Sequence, residues 1–302
     1  MSISRTRRIS VIAFMPNRLF CFGYGYTARA LARRLAADGW LIAATARSAG
    51  KAAMIAEDGA EPVLWTIGQI PANALDDAAA ALISAPPNDD GCPIFHACSD
   101  ALAARADKIG WIGYLSTNGV YGDHGGAWID ETADLKAISA RARRRVKAEA
   151  EWTGFAVERT LPLVIFRLPG IYGPGRSALD AVRAGRARRI IKEGQVFNRM
   201  HVDDIAAALK ASIQNPHADA LFNLSDDEPT PPQDVIEYAC TLLGVAPPPL
   251  VPLEDADLSD MARSFYADNK RVRNDRMKEK LGVTLQYPTY REGLDAIFAA
   301  DG

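Results

Sequence analysis

At 302 residues the chain is long enough to bury a sizeable core, and its 48% apolar and 24% charged residues are those of an ordinary globular protein. A net charge of -2 gives no basis for nucleic acid as the main partner, and no apolar run reaches the roughly twenty residues that a membrane span needs. Cys21, Cys92, Cys98 and Cys240 lie far apart without paired-ligand spacing. They read as buried free thiols, so no metal is expected and a reducing cytoplasm fits.

Residues 1–17 contain RTRR followed by ISVIAFM. The apolar part is too short for a secretory signal and no small-residue cleavage site follows, so a loosely docked tail is expected. The run RLFCFGYGYTARALARRL, Arg18 to Leu35, then reads as strand, glycine turn and helix, with Ala28, Leu31, Ala32 and Leu35 on one helical face. Gly23 permits a tight exit from the strand, and Gly25 lets a pyrophosphate approach the backbone. The helix beyond offers unpaired N–H groups, with Tyr24, Tyr26 and Thr27 completing the loop. Dinucleotide binding is the expectation. A second apolar run, Leu41 to Thr45, is followed not by an acid but by Arg47, Ser48 and Lys51. An acid would hold a ribose 2′-hydroxyl, whereas these cations suit a 2′-phosphate, so NADP(H) is favoured and NAD(H) is the second option.

Apolar runs at 18–22, 40–45, 61–65, 80–84, 111–116 and 162–168 alternate with helical patterns. They predict parallel strands with crossover helices: an α/β, Rossmann-type doubly wound sheet whose ligand crevice lies at the strands' carboxyl ends. Three loops after those strands qualify on composition: Ser84, Ala85, Pro86 and Pro87; the stretch from Ser116 to Gly122; and Pro169 to Arg176. After 176, proline clusters at 229–232 and 247–249 separate short helices expected at 202–214, 233–243, 274–281 and 289–300. The division is a tail at 1–17, a nucleotide-binding domain at 18–175 and a smaller C-terminal substrate lobe at 176–302, interleaved with the sheet.

In this order GYGYTA, LSTNGVYG, FRLPGIYGPGR and MHVDDIA resemble the extended short-chain dehydrogenase/reductase family, the NAD(P)-dependent epimerase/dehydratase group, from residue 18 to about 300. The resemblance implies an oxidoreductase or epimerase. It puts Ser116, with Thr117 beside it, where the family binds the reacting carbonyl or hydroxyl, and Pro169 and Ile171 beside the nicotinamide. His201 and Asp203 fall in the segment that closes the substrate lobe. The family's Tyr-x-x-x-Lys pair is absent: alignment on Glu149 places Arg141 and Arg145 there. Guanidinium cannot serve as a base. Arg145 is therefore expected to hold the cofactor and Arg141 to stabilise a developing alkoxide, with Tyr121 first and Tyr172 second as proton donor. This pattern is similar to the family's atypical subgroup, in which other residues stand in place of that pair.

Between 176 and 200 the chain carries Arg176, Arg183, Arg186, Arg188, Arg189, Lys192 and Arg199 against Asp180 and Glu193. By analogy with nucleotide-sugar enzymes of the family, Arg176 and Arg199 are expected to bind an anionic, sugar-like substrate, with Tyr172 and His201 nearby and Lys270 and Arg271 extending the rim. The competing reading is an NADP(H)-sensing regulator without turnover, motivated by the lost pair. A small-molecule substrate, neither nucleic acid nor membrane, and a homodimer complete the expectations.

Overall fold

The computed structural model of the protein describes residues 17–66, 68–216 and 219–301. The expected tail, apart from Asn17, lies outside the described residues. Strand β1 (Arg18–Phe22) is buried along its whole length. A near-continuous apolar run of this kind suits the centre of a parallel sheet covered on both faces. Its one charge, Arg18, is met by Glu61 at 2.7 Å.

Six strands join it: β2 (Leu41–Ala46), β3 (Glu61–Leu64), β4 (Ala78–Ile83), β5 (Trp111–Thr117), β6 (Leu163–Leu168) and β7 (Leu221–Asn223). All pair in parallel, in the order β3-β2-β1-β4-β5-β6-β7. This is a doubly wound, Rossmann-type sheet, as the alternation of apolar runs predicts. The order reverses between β1 and β4, and the connections that leave their carboxyl ends run to opposite faces of the sheet, which opens a crevice above the paired strand ends. Six strands stand where the sequence puts them, within one or two residues at their ends. The seventh, three residues long, is too short to make a run of its own.

Helices α1 (Tyr26–Ala37), α2 (Ala49–Glu57), α3 (Pro93–Ala103) and α4 (Ala140–Arg159) belong to the first crossovers. Further on lie α5 (Ala178–Arg183), α6 (Val202–Gln214), α7 (Pro232–Leu243), α8 (Asp260–Ser264), α9 (Asp275–Leu281) and α10 (Tyr290–Asp301). One face of the sheet is covered by α1, α6 and α9, where Leu31, Leu35, Ile205, Leu209 and Met277 pack with Leu19 and Phe166. On the other face α3 and α4 bring Ile94, Cys98, Leu102 and Trp152 against Phe20, Phe22 and Ile112. A separate cluster around Leu179, Ala239 and Leu294 joins α5, α7 and α10 into the smaller lobe. The lobe is tied back to the sheet by the chain itself, because β7 and α6 come from beyond residue 176. All four cysteines are buried free thiols, and among the described residues no helix is long and apolar enough to cross a membrane.

Candidate active site

At the reversal point the strand ends are stitched together. The Gly23 amide donates to Thr45 Oγ1 at 2.8 Å, and Ser84 Oγ donates to the Gly23 carbonyl at 2.9 Å. Gly23 has φ +91°, and a Cβ there would stand 2.9 Å from Ser84 Oγ, so the close approach of β1 and β4 requires glycine. Gly25 differs. It is the N-cap of α1, no side chain caps that helix, and a Cβ on it would meet nothing within 4 Å. The amides of Tyr26, Thr27 and Ala28 therefore open the helix with no acceptor inside it. Uncapped amides beside an open backbone make an anion cradle, which fits a dinucleotide's pyrophosphate.

The cradle is one wall of a cavity of about 1090 Å³, roomy enough for the end of a dinucleotide and a substrate together. Ser84, Ser116, Thr117, Arg141, Arg145, Pro169, Ile171, Arg176 and Arg199 line it with the loop residues Gly25, Tyr26 and Thr27. Tyr26 spans the mouth, its hydroxyl donating to the Pro174 carbonyl at 2.9 Å while the Arg176 guanidinium lies 5.7 Å from its ring centre. Arg145 donates to the Leu115 carbonyl at 2.6 Å and to the Tyr114 hydroxyl at 3.2 Å, which fixes it beside Ser116. Arg141, one turn earlier on α4, is exposed and has no hydrogen-bond partner among the described residues. Thr117 Oγ1 accepts from the Gly119 amide and caps the turn that follows β5.

Ser116 is 4% exposed, and its hydroxyl donates to Glu149 Oε1 of α4. That carboxylate is gripped by Arg167 of β6, with Oε2 2.7 Å from Nη2, and all three residues are buried. Ser116 and Arg167 are register partners across β5 and β6. Opposite charges at two core positions mark a pair in the sequence: Arg167 inside an apolar strand and Glu149 on the buried stripe of α4 with Trp152 and Ala156. With its proton directed at Glu149, Ser116 presents lone pairs to the cavity.

Several expected site residues stand elsewhere. Tyr121 is fully buried, its hydroxyl donates to Asn223 Oδ1 at 2.7 Å and its ring is covered by the Arg167 guanidinium at 4.7 Å, so it does not reach the cavity as a proton donor. The turn Asn118–Tyr121 after β5 folds it beneath the site. Tyr172 points into the small lobe, where its hydroxyl donates to the Thr289 carbonyl and burial pushes its pKa well above the ordinary range. His201 caps α6, its Nδ1 accepting from the Asp203 amide at 3.2 Å, and burial lowers its pKa. Neither lines the cavity. Tyr24 packs inward, and burial, aided by Asp58, raises its phenol to about 12.

Arg47 is exposed at the end of β2, Ser48 caps α2 and the Lys51 ammonium turns back to the Tyr24 carbonyl. These three flank the glycine loop outside the cavity. Ala85 donates its amide to the Phe22 carbonyl and Pro86 is exposed, which leaves Ser84 as the residue of that loop on the cavity wall. Arg144 and the short helix α8 also line the cavity, and sequence patterns did not single them out. Among the described residues no group of three or more His, Cys, Asp or Glu could hold a metal ion.

No protein-family model matches the chain, and no curated protein matches it. Among solved structures, a conserved protein of unknown function from Silicibacter pomeroyi DSS is 52% identical, with a TM-score of 0.87 over 94% of this chain and 99% of that one. A dTDP-glucose 4,6-dehydratase from Bacillus anthracis, in complex with NAD, is 16% identical with a TM-score of 0.72, over 94% of this chain and 96% of that one. A human epimerase family protein with NADPH is 16% identical with a TM-score of 0.70, over 93% and 99%. The chain has the fold of these epimerase and dehydratase structures, and at half identity it belongs to the family of the conserved Silicibacter protein.

Proposed function

We propose that the protein binds a nicotinamide dinucleotide, NADP(H) in preference to NAD(H), and acts as an oxidoreductase or epimerase at a hydroxyl or carbonyl of an anionic, sugar-like substrate. The observation that carries this reading is the uncapped start of α1 at Gly25, which opens onto the same cavity as Ser116 and Arg145. Structural neighbours carrying NAD or NADPH support it. When bound, the nicotinamide would supply hydride acceptor or donor chemistry.

The chain's own residues supply the rest. Gly25 and the first amides of α1 would hold the pyrophosphate, and Pro169 and Ile171 would bound the nicotinamide side. Ser116 would meet the substrate hydroxyl as an acceptor, its own proton already directed to Glu149. Arg145 beside it and Arg141 one turn away would stabilise negative charge developing on that oxygen, an effect that bound ligand would strengthen by displacing water. Arg176 and Arg199 would attract the substrate anion.

The direct assay is deuterium transfer from NADPH labelled at the nicotinamide C4 to a panel of nucleotide sugars and simple carbonyls. Label in a product supports turnover. Cofactor binding without transfer across the panel would favour the sensor reading over the catalyst. Arg47→Asp should weaken NADP(H) at least tenfold relative to NAD(H), about 1.4 kcal/mol, and unchanged relative affinities would remove Arg47 from the 2′-phosphate.

A further inference from the structure

The residues that line the cavity come from two groups of segments, its inner and outer halves. The inner half, from Gly25 to Ser116 and Arg145, carries the side-chain hydroxyls of Thr27, Ser84, Ser116 and Thr117. The outer half is walled by Val196, Phe197, Leu258, Met261, Phe265 and Tyr266. Four of these are packed: Val196 is buried, Tyr266 and Leu258 sit in a small core with Ile190 and Ala256, and the Phe197 ring meets Tyr266 edge-on at 5.2 Å. Met261 and Phe265 are not. They hang from α8 at 65% and 52% exposure although they line the cavity.

Two cations face the same half. Lys270 is buried, with its ammonium donating to the Gly122 carbonyl at 2.8 Å and lying 3.5 Å from Asp268 Oδ2. Arg199 uses Nη1 on the carbonyls of Phe197 and Thr230, at 3.2 and 3.3 Å, and its other guanidinium nitrogens have no partner among the described residues. The neutral side chains on this wall that could read the edge of a nucleobase, Asn198 and Ser264, are already committed, whereas Asp268 Oδ1 is buried without a partner among the described residues. The Asn198 amide donates to the Lys270 carbonyl and accepts from the Val272 amide, and Ser264 Oγ donates to the Met261 carbonyl. Asp260 alone adds an acid to this wall besides Asp268.

We propose that the outer half of the cavity binds an apolar ring that carries an anionic group, with Met261 and Phe265 on the ring's face and Lys270 and Arg199 on the anion. A flat ring covers exposed apolar surface without needing edge hydrogen bonds, and methionine adapts to aromatic faces. The proposal refines the substrate class and rests on the reading that the inner half takes the cofactor.

The probe is 1-anilinonaphthalene-8-sulfonate, an aromatic anion, titrated by fluorescence into the full chain with and without saturating NADP. Cofactor binding is measured separately by calorimetry. The dye should bind in the presence of NADP, and at least tenfold more tightly than the neutral N-phenyl-1-naphthylamine. Combining Met261→Ser with Phe265→Ser should weaken the dye at least tenfold while leaving cofactor affinity and thermal melting unchanged. Lys270→Ala should weaken the dye but not the neutral analogue. Equal affinity for the two dyes, or no response to the paired serine substitutions, would overturn the proposal. Uridine diphosphate displacing the dye equally well from wild type and the serine variant would assign this half to a nucleotide and overturn it too. Absence of any NADP association would refute the cofactor reading instead, and the dye measured alone would still test the outer half.

Discussion

Gly23 and Gly25 stand two residues apart, and a methyl group has opposite consequences at each. At Gly23 the positive φ and the 2.9 Å approach to Ser84 Oγ mean that alanine strains the backbone, at a cost of roughly 1–3 kcal/mol. At Gly25 the backbone is extended and the space is open. Gly25→Ala should therefore leave stability within about 0.5 kcal/mol and lower dinucleotide affinity at least tenfold. Denaturant melts and calorimetry on the same variant check both halves of that statement; retained affinity would take the phosphates away from this loop. Asp226 supplies a second residue-scale test. It is buried, and burial raises its pKa well above the ordinary value, against the pull of Arg199 and of the Glu228 amide. The folded state thus holds a proton that the unfolded state releases near pH 4. Stability falls as pH rises from there through the raised pKa. Asp226→Asn should abolish that decline and be more stable than wild type at high pH, which unfolding at a series of pH values measures.

Among the elements, α4 joins β5 and β6 through one buried contact set: Ser116, Glu149 and Arg167. Glu149→Gln would leave the Arg167 charge buried without its counterion, and should cost about 3–5 kcal/mol in denaturant unfolding. A loss under 1 kcal/mol would show that the pair is not the tie between these elements. The elements themselves were legible because each strand of the sheet's middle is an apolar run ended by a loop residue, and α6 runs over the same 202–214 that its periodicity predicts. The three-residue β7 was not legible, since its position depends on pairing with β6 alone. In the candidate site, local pattern points to Ser116 and to Gly25, Tyr26 and Thr27 of the glycine loop, and all four line the cavity. Tyr121 was misplaced because five residues of loop spacing say nothing about a turn that folds the ring under the strand. Glu149 and Arg167 carried a signal, opposite charges at core positions, that becomes a pair only when β5 and β6 are known to be neighbours.

In the whole molecule, chain order and sheet order cooperate. The reversal between β1 and β4 opens the crevice, and Arg199, just before α6, and α8, well after β7, line the same cavity. A site divided in this way, with amides of α1 on one side and lobe cations on the other, should respond to ligand as a unit. Saturation with cofactor at about 100 times its Kd should add roughly 2.7 kcal/mol to unfolding stability. The central claim is narrower: the amides that begin α1 hold a dinucleotide's phosphates. Isothermal calorimetry of the full chain with NADP, NADPH, NAD and NADH tests it most directly. The account predicts association at one site, tighter for the 2′-phosphorylated pair, and no measurable heat with any of the four at millimolar concentration would contradict it.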